Sequence, residues 1–155
     1  MRVAFGADHA GWPLRARLIA EISALGHEVV DSGSPVIVPG DDYPDVAAAV
    51  ARAITHGRAD RGVLVCGSGV GAAIAANKIP GIRACMCHDS FSARQGVEDD
   101  DMNVIAFGAR VIGEELAVDL LRDFLRATFS GAERHRRRVE KIAAMERAAR
   151  TAGLP

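Results

Sequence analysis

The chain has 155 residues, 49% of them hydrophobic and 25% charged, with a formal net charge of −1 at pH 7. That composition suits one globular domain over residues 1–155, and the near-neutral balance excludes bulk attraction to nucleic acid or to a membrane surface. Three cysteines, an odd number, make no disulfide framework, and no apolar run is long enough to cross a bilayer, so a cytoplasmic protein is expected.

The predicted elements alternate. Val3–Phe5 reads as a strand ending at Gly6-Ala7-Asp8-His9, and Leu14–Leu25 as a helix closed by Gly26. Glu28–Asp31 is a second strand, followed by a loop rich in turn formers from Ser32 to Pro44 and an alanine-rich helix over Val46–His56. Val63–Val65, a short apolar β-branched run, is a third strand, and Ala72–Ala76 are helix formers. Ile82–Cys87 predicts a fourth strand after the Pro80-Gly81 turn, and Phe91–Val97 a short helix. The acidic run Glu98–Asp101 reads as a solvated loop before a fifth strand at Asn103–Phe107. Helices over Glu114–Phe129 and Glu133–Arg150 complete the chain. Repeated strand-helix units imply an α/β, Rossmann-like three-layer sandwich with a five-stranded parallel sheet.

Between the third strand and its helix stand three alternate glycines, Gly67, Gly69 and Gly71. Residues without Cβ let a ligand approach the backbone, and a loop opening a helix aims unpaired N–H groups at an anion. Cys66 ends the strand and Ser68 lies in the loop, and a thiol so placed is a candidate base or nucleophile. The bland reading of Cys66 is a small buried apolar residue. Gly67, Gly69 and Ala72 also fit a dinucleotide fingerprint with Asp89 about 20 residues on. Against that rival, the loop follows the third strand and the chain leaves little room for a substrate domain.

Ligands of parallel sheets bind beyond the carboxyl ends of the strands. That rule gathers Asp8 and His9, Asp42 and Tyr43, Cys66 to Gly71, His88 and Asp89, and Arg110, a polar set suited to a small, anionic, hydroxyl-rich ligand. Asp8 alone could be a helix cap. Cys85 and Cys87 alternate along a strand and face opposite ways, and with no C-x-x-C or H-x-x-x-H pair a metal site is not expected. In the last helix Arg134 and Arg138 share a face and suit one phosphate. Nucleic acid is the alternative partner for this basic stretch, but interspersed acids and the lack of aromatic residues speak against it.

Gly6-Ala7-Asp8-His9-Ala10-Gly11, Asp42-Tyr43-Pro44, Cys66-Gly67-Ser68-Gly69-Val70-Gly71 with Ile74-Ala75-Ala76-Asn77-Lys78, Gly81-Ile82-Arg83-Ala84, Asn103-Val104, Gly108 to Gly113 and Arg134-His135 with Arg138-Val139-Glu140 resemble the ribose-5-phosphate isomerase B and galactose-6-phosphate isomerase family. The resemblance implies an enzyme that interconverts aldose and ketose phosphates with no metal or cofactor. It implies a homodimer, or a dimer of dimers, whose active sites lie between subunits, with the C-terminal helix packing on a partner. It makes Cys66 the base and Ser68 a proton relay between O1 and O2. The loop Gly67, Gly69, Val70 and Gly71 supplies N–H groups, Asp8 and Tyr43 contact the sugar, and His9, Arg110, Arg134 and Arg138 hold phosphate. Where the family carries a ring-opening histidine this chain has Asp99, with Asp100 beside it as a substrate contact. Ribose 5-phosphate is the expected substrate, with Asp99 or His88 as ring-opening acid. A tetrose or tetrulose 4-phosphate, which cannot close a five-membered ring, is the alternative, and a non-catalytic sugar-phosphate sensor is a further one.

Overall fold

The computed structural model describes residues 1–151. Five parallel strands, β1 (Arg2–Ala7), β2 (Glu28–Asp31), β3 (Arg61–Cys66), β4 (Ala84–Met86) and β5 (Val104–Gly108), form one sheet in the order β2-β1-β3-β5-β4. The two-residue period of a strand sorts their side chains. Val3, Phe5, Val63, Val65, Ile105 and Phe107 enter one buried cluster, whereas Ala4, Leu64, Cys66, Val104 and Ala106 enter another. The first is covered by α1 (Trp12–Ala24), α4 (Ser90–Asp100) and α5 (Glu114–Arg126), the second by α2 (Tyr43–Thr55) and α3 (Val70–Ala76). The result is the expected three-layer α/β sandwich. Because α1 and α2 lie on opposite faces, the chain leaves β1 and reaches β3 from the other side, and the crevice between their carboxyl ends is the topological switch point.

Several boundaries differ from the sequence reading. α2 begins at Tyr43 rather than Val46, since Pro44 sits in the first turn, where its missing N–H costs nothing. The acidic run is not a loop. Asp89 caps α4 by accepting the Ser92 N–H at 2.8 Å, and the helix continues to Asp100 because Arg94 and Gln95 bond Glu98 and Asp99 one turn on. Asp101, with φ 51°, then turns the chain out. α5 stops at Arg126 instead of Phe129, where the Arg61 guanidinium takes the carbonyls of Phe124 and Ala127. β4 keeps only Ala84–Met86 of the longer strand expected.

α6 (Glu133–Thr151) lies outside the layers. Its first turn meets the end of α4, and Glu146 accepts the Gly81 N–H at 3.0 Å ahead of β4. It therefore runs along the amino ends of the strands, with His135 its one buried residue among those described. No helix of the described residues is long and apolar enough to cross a membrane.

Candidate active site

A cavity of about 390 Å³ opens at the switch point, lined by the ends of β1 and β3, the start of α2 and the turn after β5. Asp8 is buried, and its Oδ1 accepts the Gly11 N–H at 2.7 Å. It thus braces the turn into α1, as a capping residue would, while lining the cavity. Cys66 is 5% exposed, and the Gly69 N–H donates to its Sγ at 3.1 Å. Gly69 can turn the sulfur's loop into α3 because it adopts φ 83°, a conformation costly for any residue with a Cβ. Ser68 Oγ accepts the Val70 N–H at 3.3 Å, and Ala73 is the first residue whose N–H reaches a carbonyl of this turn, Gly69 O at 3.1 Å. The first-turn N–H groups of Gly71 and Ala72 have no such partner within the helix.

Two side chains lean on the loop's bare glycines. A Cβ on Gly71 would stand 2.7 Å from the Tyr43 ring, so the ring closes over that residue only because it is glycine. Arg110 donates its backbone N–H to Gly67 O at 3.0 Å, and its guanidinium carbon lies 3.7 Å from where a Gly67 Cβ would be. Across the cavity, Asp41 Oδ1 accepts the His9 backbone N–H at 2.8 Å and pairs with Nδ1 at 2.7 Å. That hydrogen bond raises the His9 pKa above its ordinary value, against a desolvation penalty and with help from the charge of Asp8. Nδ1 thus carries a proton, and the ring's other nitrogen becomes a second donor when the imidazole is protonated. Sulfur, hydroxyl, carboxylate, unpaired N–H groups, a guanidinium and an imidazole biased toward its charged form thus surround one small space, which suits proton transfer on a phosphorylated polyol.

The remaining expected residues lie elsewhere in the chain. Asp99, Asp100, Arg134 and Arg138 do not line this cavity. The end of α4 and the start of α6 lie near the amino ends of the strands, roughly 15 Å away for a five-residue strand. There Asp99 Oδ2 accepts from Gln95 Nε2 at 2.8 Å and Oδ1 lies 3.2 Å from His135 Nδ1. Oδ2 is thus used as an acceptor, while Oδ1 faces the ring without a hydrogen bond. Asp100 lines a separate hollow beside Cys85 and Met102. His88 is committed as well, since its Nε2 accepts the Gly108 N–H at 3.2 Å.

The model of the ribose/galactose isomerase family matches residues 3–142. The chain belongs to that family. It is 44% identical over 145 residues to ribose-5-phosphate isomerase B of Escherichia coli, covering 94% of this chain and 96% of that protein. It is 41% identical over 131 residues to the D-erythrulose-4-phosphate isomerase of Pectobacterium atrosepticum, covering 84% and 86%. Among solved structures, Clostridium thermocellum ribose-5-phosphate isomerase B superposes with a TM-score of 0.91 at 42% identity, over 96% of this chain and 99% of the other. Membership makes the chain a sugar-phosphate isomerase of the aldose-ketose type.

In this family member, the cavity residues that were legible were those in motifs: Asp8, His9, Tyr43, the Cys66 loop and Arg110. Asp41, Ser130 and His135 were not singled out for a role. Asp41 lies in a loop without periodicity, and nothing in the sequence pairs it with His9, 32 residues away.

Proposed function

We propose that the chain converts ribose 5-phosphate to ribulose 5-phosphate through an enediolate, with Cys66 as the base. The observation that carries this reading is the seating of the Cys66 sulfur at the cavity wall, on the Gly69 N–H and beside Ser68, Asp8 and the first-turn N–H groups of α3. The Cys66 thiolate takes the C2 proton. The electron pair moves through C1 onto O1, which the loop N–H groups stabilise as negative charge develops. Ser68 passes a proton from O2 to O1, and the Cys66 thiol returns its proton to C1, giving the ketose and restoring the thiolate. His9 and Arg110 hold the phosphate at the far side.

The site is completed by a second copy of the chain, which brings Arg134 and Arg138 to the phosphate. Within one chain these cations stand at the wrong end of the sheet, exposed and with no carboxylate partner among the described residues. Val70, Ile74, Phe91 and Val111 are exposed apolar side chains near the cavity end of the sheet, as a face covered by a partner would be.

A second reading is favoured by Asp99. Aspartate stands where the family has its ring-opening histidine, and its Oδ2 is taken by Gln95, whereas a four-carbon 4-phosphate sugar has no five-membered ring to open. The Pectobacterium relative is named for such a substrate.

Cys66→Ala is expected to lower kcat by at least about a thousandfold while leaving phosphate-ligand affinity within about twofold, because the lost group acts in the transition state. Near wild-type turnover would refute the assignment. Measuring kcat/KM of the wild type for ribose 5-phosphate and erythrulose 4-phosphate separates the two substrates, and a tenfold preference either way decides.

A further inference from the structure

His135 is a buried imidazole, 3% exposed, at the first turn of α6, and both its nitrogens have close partners. Nε2 lies 2.8 Å from Arg134 Nε, which donates to it. An arginine Nε–H is always a donor, so Nε2 must carry the lone pair and the ring proton must sit on Nδ1. Nδ1 faces Ser130 Oγ at 2.7 Å and Asp99 Oδ1 at 3.2 Å. The serine hydroxyl, which shares the hydrogen bond with Nδ1, can donate or accept and would tolerate either tautomer. The carboxylate makes no hydrogen bond to the ring, but its negative charge 3.2 Å from Nδ1 favours a proton there over a lone pair.

Asp99 is itself held. Gln95, one turn earlier on α4, donates to its Oδ2, and the Ser130 N–H donates to Glu98 O at 2.9 Å, tying the lead into α6 to the end of α4. The neighbouring charges are engaged elsewhere, Glu98 with Arg94 and Arg136 with Gly131 O. At the other end of the chain of contacts, only the Nε of Arg134 is engaged. Its two terminal amino groups have no partner among the described residues, and they are the edge of a guanidinium that grips a phosphate in forked fashion.

We propose that Asp99 and His135 are positioning residues: the charge of the carboxylate beside Nδ1 favours the His135 proton there, and the Nε2 lone pair so presented anchors Arg134 with its terminal amino groups free for a substrate phosphate. The proposal rests on the reading that Arg134 binds phosphate. It gives the aspartate that replaces the family's histidine a role that touches no reacting atom. Orientation of one clamp residue affects binding of the phosphate in ground and transition states alike, so its signature is in KM.

The test is a double-mutant cycle on the full-length enzyme, reading kcat, KM for the sugar phosphate and inhibition by inorganic phosphate. Asp99→Ala is expected to raise KM and the phosphate inhibition constant together, by about five- to twentyfold, with kcat changed less than about twofold. Asp99→Asn, which keeps the shape but removes the charge, should lose nearly as much, and Asp99→Glu should recover part of it. In an Arg134→Ala background, Asp99→Ala should change KM no further. If Asp99→Ala does not fold, His135→Leu carries the same expectations. A lower kcat at unchanged KM, or additive effects with Arg134→Ala, would overturn the positioning role. If Arg134→Ala itself leaves KM and phosphate inhibition unchanged, the phosphate reading fails first, and the two failures are thereby told apart.

Discussion

His9 was legible as a site residue because a helix cap needs no imidazole, yet what makes it useful comes from Asp41, which the sequence does not connect to it. The Asp41 hydrogen bond raises the His9 pKa, with the Asp8 charge adding to the effect. The sign of the linkage follows. The pair's contribution to stability is complete below the unfolded value of about 6.5 and is lost as pH rises through the higher folded value. The same proton serves the ligand, because a sugar phosphate is largely a dianion above about pH 6. Asp41→Asn should therefore move the alkaline rise of KM to lower pH, with little difference from wild type at pH 5.5 and a KM several-fold higher near pH 7.5. Profiles of KM against pH for the two proteins check this, and coincident curves would show that Asp41 does not tune the histidine.

At the scale of elements, periodicity located all five strands and six helices, and missed where local chemistry extends or ends them. The acidic run looked solvated because four adjacent carboxylates repel. In the fold, the i,i+4 bonds from Arg94 and Gln95 carry the helix through it. The contact between α1 and α5 was likewise invisible, since Glu21 and Arg122 are 101 residues apart. Glu21 is 6% exposed and accepts from Arg122 Nε at 2.7 Å and Arg17 Nη1 at 2.9 Å. These bonds, Arg122 first, hold its pKa below the ordinary carboxylate value. Their stabilisation is present above the unfolded pKa of about 4.3 and disappears as pH falls through the lower folded value. Glu21→Gln leaves a guanidinium facing an amide and should lower Tm by roughly 3–10 °C at pH 7. The gap should narrow as pH falls through the lower folded value. Thermal melts from pH 7 downward test it, and equal Tm at pH 7 would mean that the two arginines find other partners at no cost.

For the molecule as a whole, strand count and parallelism could be read from the alternation of elements, but the order β2-β1-β3-β5-β4 could not, because hydrophobic pattern carries no lateral sequence. That order makes the β1/β3 crevice the site, and the return of α4 carries Asp99 to the opposite end, beside α6. The motif residues thus divide between two ends of one chain, and the proposed site requires two chains. A chain carrying Cys66→Ala still offers intact Arg134 and Arg138, while a chain carrying Arg134→Ala with Arg138→Ala still offers an intact cavity. In a mixed dimer one of the two sites then receives both good halves. Random reassociation of equal amounts makes half the dimers mixed, so about one quarter of wild-type activity should return from two inactive parents. Mixed dimers are verified by purification through two different affinity tags. If they form and remain as inactive as their parents, the cavity does not take its arginines from the other subunit and the shared site is refuted, whereas an Arg134→Ala/Arg138→Ala parent that is itself active would mean that His9 and Arg110 hold the phosphate within one chain.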